Sequence, residues 1–162
     1  MKTLVIVRHA KAEMIKKGQN DGERKLTKKG KEDAEKTAKI LKENGVFPDL
    51  FISSHAKRAF RTARIFAERF KVLKKEIIKS EFLYTDFSLE ELKEFLDANA
   101  NDKSIVAVFG HNPTLQHLIS QIIPEFNEEF STSATVVVEF EVESWTEIQE
   151  KSGKLSLFLH KK

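Results

Sequence analysis

The chain has 162 residues, a length typical of one domain, and we predict a single domain over residues 1–162. Hydrophobic residues make up 40% of the chain and charged residues 33%, which excludes a disordered class and favours a folded globular protein. The absence of cysteine excludes disulfides, thiolate chemistry and cysteine-ligated zinc. Because this composition is compatible with a reducing compartment, we expect a cytoplasmic location.

The net charge of +3 comes from 28 Lys and Arg against 25 Asp and Glu, an excess too small to indicate nucleic-acid binding. Lysines are dense between Lys16 and Lys42, but acidic residues are interleaved with them, which is typical of a solvated helix face. Residues 1–10 lack the apolar core of a signal peptide, and no apolar run approaches membrane-spanning length. We therefore expect a monomer that binds neither nucleic acid nor a membrane.

The first predicted strand covers residues 2–7, an apolar run without alternation that is typical of a strand buried on both faces. A long polar loop follows over residues 8–26. Thr27 is a candidate N-cap for a helix with an apolar stripe, and Asn44 and Gly45 are a C-terminal signal for that helix.

The middle of the chain alternates in the same way. Residues 49–53 predict a short buried strand, and residues 56–70 predict a helix whose inward face is rich in alanine. A weaker strand pattern covers residues 76–79, and residues 82–88 look irregular. A capping box then predicts a helix over residues 89–99.

The last third begins with a second strong strand over residues 104–109. Pro113 suits the first position of a helix that ends at Pro124. Residues 134–142 and 154–160 alternate and predict an antiparallel pair at a sheet edge. Strands that alternate with helices predict an α/β fold, a three-layer α/β/α sandwich whose central sheet is mostly parallel with an antiparallel edge.

Basic and imidazole side chains follow three of the predicted strands. Arg8 and His9 follow the first strand, and His111 follows the strand over residues 104–109. Arg58 lies in the first turn of the helix after the second strand, with Thr62 one turn further on the same face. Parallel strands place their carboxyl ends at one sheet edge, so we expect these side chains to converge there.

Two helix N-termini at the same edge, near Ala56 and Pro113, add backbone N–H groups that favour an anion. The simplest ligand for this arrangement is a phosphoryl group, and we expect phosphate or sulfate to bind there. Taken singly, each residue has a structural explanation. Arg58, for example, is followed by Arg61 and Arg64 and on its own resembles one of several exposed arginines.

Several motifs that carry these residues occur in one order along the chain. Residues 7–10, Val-Arg-His-Ala, resemble the Arg-His-Gly/Ala signature of the histidine phosphatase superfamily, whose fold is phosphoglycerate mutase-like. Residues 26–30 resemble its Leu-Thr-x-x-Gly motif. Residues 53–62 resemble its Ser-Pro-x-x-Arg-Ala-x-x-Thr segment, with His55 in place of the proline. Residues 108–113 resemble its second histidine block.

Residues 130–134 resemble the Thr-Ser-Ala segment of the SixA-type phosphohistidine phosphatases, a branch that the short chain also favours. The resemblance implies that His9 attacks phosphorus and carries a phosphohistidine intermediate. It implies that the catalytic residues Arg8, Arg58 and His111 also hold the phosphoryl oxygens, and that Asn112 and Thr62 are further substrate-binding residues. We expect no cofactor and no metal, because the arginines and helix amides supply the positive charge.

One departure from the family narrows the substrate. Many members carry a glutamate general acid in a Leu-x-Glu segment, whereas this chain has Leu83-Tyr84-Thr85 followed by Asp86. An alkoxide leaving group needs a proton donor, but imidazole, whose ordinary pKa is about 6.5, leaves more readily. The missing glutamate favours phosphohistidine on a signalling protein as the substrate. Two alternatives stay open: a small phosphoester with Asp86 as the acid, and an inactive phosphate-binding module.

Overall fold

The computed structural model describes residues 1–160, so the last two residues of the predicted domain, 161 and 162, lie outside the described residues. In the described part, strands and α-helices alternate along most of the chain. The strands are β1 (Lys2–Arg8), β2 (Leu50–Ser54), β3 (Ile78–Ser80), β4 (Ile105–Gly110), β5 (Thr135–Phe140) and β6 (Lys154–Leu159). The helices are α1 (Lys28–Glu43), α2 (Lys57–Arg69), α3 (Leu89–Ala100) and α4 (Thr114–Ile122).

These strands form one sheet with the order β3-β2-β4-β1-β5-β6. Strands β3, β2, β4 and β1 are parallel to one another, whereas β5 pairs antiparallel with β1 and with β6. The predicted mostly parallel sheet with an antiparallel edge is therefore confirmed. In the register of β1 and β4, Arg8 lies opposite Gly110, so these two strands end at the same level.

Helices cover both faces of the sheet, as predicted. Leu4 and Ile6 of β1 pack in one core with the apolar residues of α3 and α4, while Val5 and Val7 pack in a second core with those of α1 and α2. Because the side chains of β1 alternate between two apolar layers, the whole strand is apolar. The result is the three-layer α/β/α sandwich.

The helix boundaries follow the local signals closely. Thr27 caps α1 by accepting a hydrogen bond from the Gly30 N–H at 2.9 Å, and Ser88 caps α3 in a capping box. Gly45 follows α1 with a positive φ of 77°, a conformation that favours glycine. Pro113 lies one residue before α4 rather than at its first position.

The weaker prediction of a strand over residues 76–79 is only partly right. Lys74–Glu76 form a 3-10 turn, and the strand begins two residues later than predicted, at Ile78. The segment predicted to be irregular contains a 3-10 turn at Phe82–Tyr84. Among the described residues, no helix combines the length and apolar character that crossing a bilayer requires.

Candidate active site

The candidate active site lies at the carboxyl ends of β1, β2 and β4. The His9 N–H donates to the Gly110 carbonyl at 3.0 Å, which extends the β1–β4 pairing by one residue. The imidazoles of His9 and His111 consequently face each other, with ring centroids 5.2 Å apart. Arg58, in the first turn of α2 beyond β2, reaches to within 3.4 Å of His111. The structure thus brings together the four side chains that the strand ends predicted: Arg8, His9, Arg58 and His111.

His9 is held in one orientation by its own backbone neighbour. Its Nδ1 lies 2.8 Å from the Ala10 carbonyl, which can only accept, so Nδ1 carries the proton and Nε2 keeps its lone pair. The His9 side chain is buried, and this burial, together with the nearby Arg58 and Arg8, lowers its pKa to about 4. At neutral pH His9 is therefore an uncharged imidazole with a free nucleophilic nitrogen.

His111 is also neutral in the resting site. Its Nε2 donates to Ser54 Oγ at 2.8 Å, because its Nδ1 faces a guanidinium nitrogen of Arg58, which can only donate, at 3.4 Å. Burial, the neighbouring His9 and the charge of Arg58 lower the pKa of His111 to about 3. The protonation states of the two histidines do not follow from the sequence, because burial in the folded protein is the main cause of both lowered pKa values.

The two arginines are buried or partly buried, and part of their donor capacity is unused. Arg8 donates from Nη1 to the Phe130 carbonyl at 3.3 Å, and burial lowers the pKa of Arg8. Arg58 has only 7% of its side chain exposed. In the described structure the Nε atoms of both guanidinium groups are buried without a hydrogen-bond partner. Each guanidinium group therefore has donor capacity that contacts within the protein leave unused.

Asp21, which the sequence indicated only as a loop residue, is part of the site. Arg58 donates from Nη1 to the Asp21 backbone carbonyl and from Nη2 to its carboxylate, both at 2.8 Å. The same carboxylate accepts a hydrogen bond from the Tyr84 hydroxyl at 2.6 Å and one from Arg24 at 3.2 Å. Asp21 thus links the long loop after β1 to the first turn of α2.

These contacts fix the charge of Asp21. The hydrogen bond from Tyr84, followed by those from Arg58 and Arg24, holds the pKa of Asp21 far below its usual range. The same carboxylate raises the pKa of Tyr84. Tyr84 also packs edge-on against His111, with ring centroids 5.3 Å apart. Asp21 is therefore an ionised hydrogen-bond acceptor that orients Arg58, and it has no proton to donate near neutral pH.

The side chains of Thr62 and Asn112 are engaged with the protein itself. Thr62 is fully buried, donates to the Arg58 carbonyl at 2.7 Å and accepts from the Ala10 N–H at 3.0 Å. Asn112 donates to the Phe130 carbonyl at 2.8 Å and accepts from the Gln116 N–H at 3.2 Å. In this structure both side chains therefore act on the segments that carry Arg58, His9 and Arg8.

Asp86 is exposed and lies beside the first turn of α4. Its carboxylate accepts a short hydrogen bond from the hydroxyl of Thr114, the first residue of that helix. An acidic residue in this position stabilises the helix N-terminus. Among residues 1–160, no three His, Asp or Glu side chains are grouped so that they could hold a metal ion.

Comparison with known proteins identifies relatives at two levels. The family model of the histidine phosphatase superfamily (branch 1) matches residues 4–83, which include His9 and Arg58. Phosphoglycerate mutase 1 of Saccharomyces cerevisiae is 38% identical over 71 residues. That match covers 43% of this chain but only 29% of the mutase, so the chain spans less than a third of this curated relative.

Solved structures match the whole fold. A phosphohistidine phosphatase SixA structure from Agrobacterium tumefaciens superposes with a TM-score of 0.80 at 25% identity, covering 99% of this chain and 98% of that chain. The protein histidine phosphatase SixA complexed with tungstate gives 0.80 at 22% identity, covering 97% and 96%. A mycobacterial glucosyl-3-phosphoglycerate phosphatase complexed with VO3 gives 0.70 at 15% identity, covering 97% and 98%. The last two similarities show a shared fold alone.

Proposed function

The chain belongs to the histidine phosphatase superfamily, and from this premise we propose that it hydrolyses the phosphorus–nitrogen bond of a phosphorylated histidine on a protein. The observation that carries the proposal is His9, whose Nε2 lone pair is fixed beside His111 and two arginines. A neutral imidazole with a free nitrogen is the form that attacks phosphorus. The surrounding cations are the groups that stabilise charge on the phosphoryl oxygens.

In the first half-reaction, a bond forms between His9 Nε2 and phosphorus as the bond from phosphorus to the substrate nitrogen breaks. The leaving ring keeps the electron pair of that bond and, because its other nitrogen already carries a proton, departs as neutral imidazole. Arg8 and Arg58 hold the equatorial oxygens, where charge accumulates in a loose transition state. His111 joins them once the bound phosphoryl group raises its pKa and it takes up a second proton. In the second half-reaction a bond forms between a water oxygen and phosphorus as the bond to His9 Nε2 breaks. Both water protons leave with the phosphate as dihydrogen phosphate, and His9 regains its Nε2 lone pair with Nδ1 still protonated.

Thr62 and Asn112, predicted from the sequence as substrate-binding residues, also position neighbouring groups of the site. The Thr62 hydroxyl joins the backbone beside His9 to the first turn of α2, and so fixes Arg58 relative to the nucleophile. The Asn112 amide and the Arg8 guanidinium donate to the same Phe130 carbonyl, which couples Arg8 to the start of α4. Such contacts maintain the geometry on which transition-state stabilisation depends.

The acids near the site favour phosphohistidine over a phosphoester. Asp21 is held ionised by Tyr84 and two arginines, so it has no proton for an alkoxide, and the Asp86 carboxylate is hydrogen-bonded to Thr114 at the start of α4. A phosphorylated imidazole needs less help, because imidazole, with an ordinary pKa of about 6.5, is a better leaving group. The small-phosphoester alternative would need Asp86 to leave Thr114 and act as the acid.

The decisive experiment compares two substrate types without added metal and in the presence of a chelator. One substrate is a protein phosphorylated on histidine, and the other is a panel of sugar and nucleotide monoesters. We expect fast loss of phosphohistidine, weak ester cleavage, and acid-labile phosphate on His9 during turnover. His9→Ala should lose at least about 10⁴-fold of the rate, as expected for removal of a covalent nucleophile.

Three outcomes would change the assignment. A strong preference for esters would make the protein a small-molecule phosphatase, and Asp86→Asn would then test the acid. Turnover by His9→Ala at the wild-type rate would exclude the covalent mechanism. Phosphate binding without hydrolysis of any phosphoramidate or ester would indicate an inactive binding module.

A further inference from the structure

A second concentration of positive charge lies outside the catalytic pocket, in a cavity of about 330 Å³ between α1 and α2. Helix α2 contributes Lys57, Arg61 and Arg64, which are spaced four and three residues apart and so share one helix face. Segments distant in sequence complete the wall. We call this cavity the basic pocket, and its charged lining residues are Lys25, Lys31, Lys57, Arg61, Arg64 and Lys74.

Among the described residues, no acidic side chain lines the basic pocket. Leu26 is the one uncharged residue in the described lining. Glu68, outside the lining, forms an ion pair with Arg61. The distance from Glu68 Oε1 to Arg61 Nη1 is 3.8 Å, which is beyond hydrogen-bond distance. Arg61 Nη1 and Arg64 Nε are buried atoms without a hydrogen-bond partner in the described structure. Part of the hydrogen-bonding capacity of both guanidinium groups is thus unused within the described structure.

The excess of positive charge in the lining of the basic pocket does not follow from a general excess of lysine in the chain. A neighbouring cavity next to the C-terminal half of α2 is lined by Lys42, Arg69 and Lys71, but also by Glu35 and Glu68. The whole chain has a net charge of only +3, so six cations without a lining acid are a local feature. Like charges gathered in a cavity repel each other, and a bound anion would relieve that repulsion.

We propose that the basic pocket binds a small anion that carries two or more phosphoryl groups, such as inorganic pyrophosphate or tripolyphosphate. Arginine guanidinium groups match phosphate oxygens in a planar fork, and lysines add point charges. Several phosphoryl groups are needed to balance six cations in one cavity. Among the described residues no aromatic side chain lines the pocket on which a nucleobase would stack, and the charge is gathered in a cavity rather than along a stripe.

This site is separate from the catalytic pocket although the two share a helix. Arg58 directs its guanidinium to Asp21 and His111 and does not line the basic pocket, whereas Lys57, Arg61 and Arg64 do. Binding in the basic pocket therefore does not depend on the proposed phosphatase activity. Variants of Arg58 and of Arg61 with Arg64 distinguish the two sites.

The experiment is a calorimetric titration of the purified protein with tripolyphosphate, pyrophosphate and orthophosphate, in chelator and at low salt. The test variant is Arg61→Gln with Arg64→Gln. The matched controls are Arg69→Gln, an exposed arginine of the same helix, and Arg58→Ala, which weakens the catalytic pocket. Adenosine triphosphate serves as a further probe, to show whether the phosphate chain alone is recognised.

We expect tripolyphosphate to bind more tightly than orthophosphate, and to bind Arg58→Ala and Arg69→Gln as it binds the wild type. The Arg61→Gln, Arg64→Gln variant should lose at least about tenfold in affinity, because two charge-assisted donors are removed. Unchanged binding to this variant, loss of all binding in Arg58→Ala, or no binding to the wild type would overturn the proposal. If the double variant fails to fold, Lys25→Gln with Lys74→Gln, two exposed positions, gives the same test.

Discussion

The candidate catalytic pocket and the basic pocket both contain cationic side chains of α2, but the two pockets hold them differently. In the catalytic pocket Arg58 is buried and held by the Asp21 carboxylate and carbonyl at 2.8 Å. In the basic pocket Arg61 is 37% exposed at its side chain and its closest acid lies 3.8 Å away. A buried and oriented cation can stabilise a specific transition state, whereas loosely held cations attract an anion without fixing its geometry.

The substitution with the largest expected effect is Arg58→Ala, which tests the difference between the two pockets. We expect kcat to fall about 100- to 1,000-fold, because an oriented charge that stabilises the phosphoryl oxygens is removed. Steady-state kinetics on a phosphohistidine protein measures the loss. Arg61→Ala, which removes an arginine one turn along the same helix, is the matched control and should retain nearly full activity. Equal losses in the two variants would mean that the pockets do not differ in the way described.

Stability should depend on pH because the two buried histidines resist protonation. In the folded protein the pKa of His9 is about 4 and that of His111 about 3, against ~6.5 in the unfolded chain. The unfolded state thus binds more protons between these values, so the free energy of unfolding is highest above about pH 6.5 and falls as the pH drops toward 4. The loss from His9 alone amounts to about 3 kcal/mol.

Urea unfolding at several pH values between about 7.5 and 4 measures the free energy of unfolding across the range in which the histidines titrate. His9→Phe removes one titrating group and should flatten the curve relative to the wild type. NMR titration of the imidazole nitrogens gives the pKa values directly. A pKa of His9 near its ordinary value in the folded protein would contradict the account of its burial.

Asp21→Asn tests the acid that orients Arg58, the proposed catalytic arginine. We expect kcat/KM to fall about tenfold, since Arg58 exchanges a charge-assisted hydrogen bond for a neutral one. If Asp21 only positions Arg58, the pH profile above pH 5 should keep its shape, because its carboxyl is already ionised throughout that range. If Asp21→Asn instead abolished ester cleavage but not phosphohistidine cleavage, and removed the basic limb of the pH–rate profile, Asp21 would be identified as a proton donor. Tyr84→Phe, which removes one hydrogen bond to the same carboxylate, should have a smaller effect.

The smallest expected effect concerns the stability of the basic pocket. Arg61 and Arg64 are three residues apart on α2, and like charges at this spacing destabilise a helix by roughly 0.2–0.5 kcal/mol. Arg64→Gln should therefore raise the free energy of unfolding slightly at low salt, and the gain should shrink at high salt. Denaturant unfolding at two ionic strengths measures this. Arg69→Gln is the control, since its surroundings include Glu35 and Glu68.

Local sequence determined most of the fold. The apolar run of β1 is typical of a strand covered on both faces, and Thr27 and Ser88 marked helix starts that the structure confirms. Because β1 and β4 end in the same pattern and are parallel neighbours, the approach of His9 to His111 also followed from the sequence. Periodicity and capping are local properties, so neighbouring residues specify them.

Tertiary structure alone decided what surrounds those residues. Asp21 reaches Arg58 across 37 positions of sequence and Tyr84 across 63, through a loop and a 3-10 turn that carry no periodic signal. The neutral state of both histidines depends on burial and on nearby charges. The basic pocket arises because α1 and α2 pack side by side and bring together lysines and arginines that look like separate solvated faces in the sequence. Charge and burial depend on which distant segments meet, and the packing of the whole chain sets that.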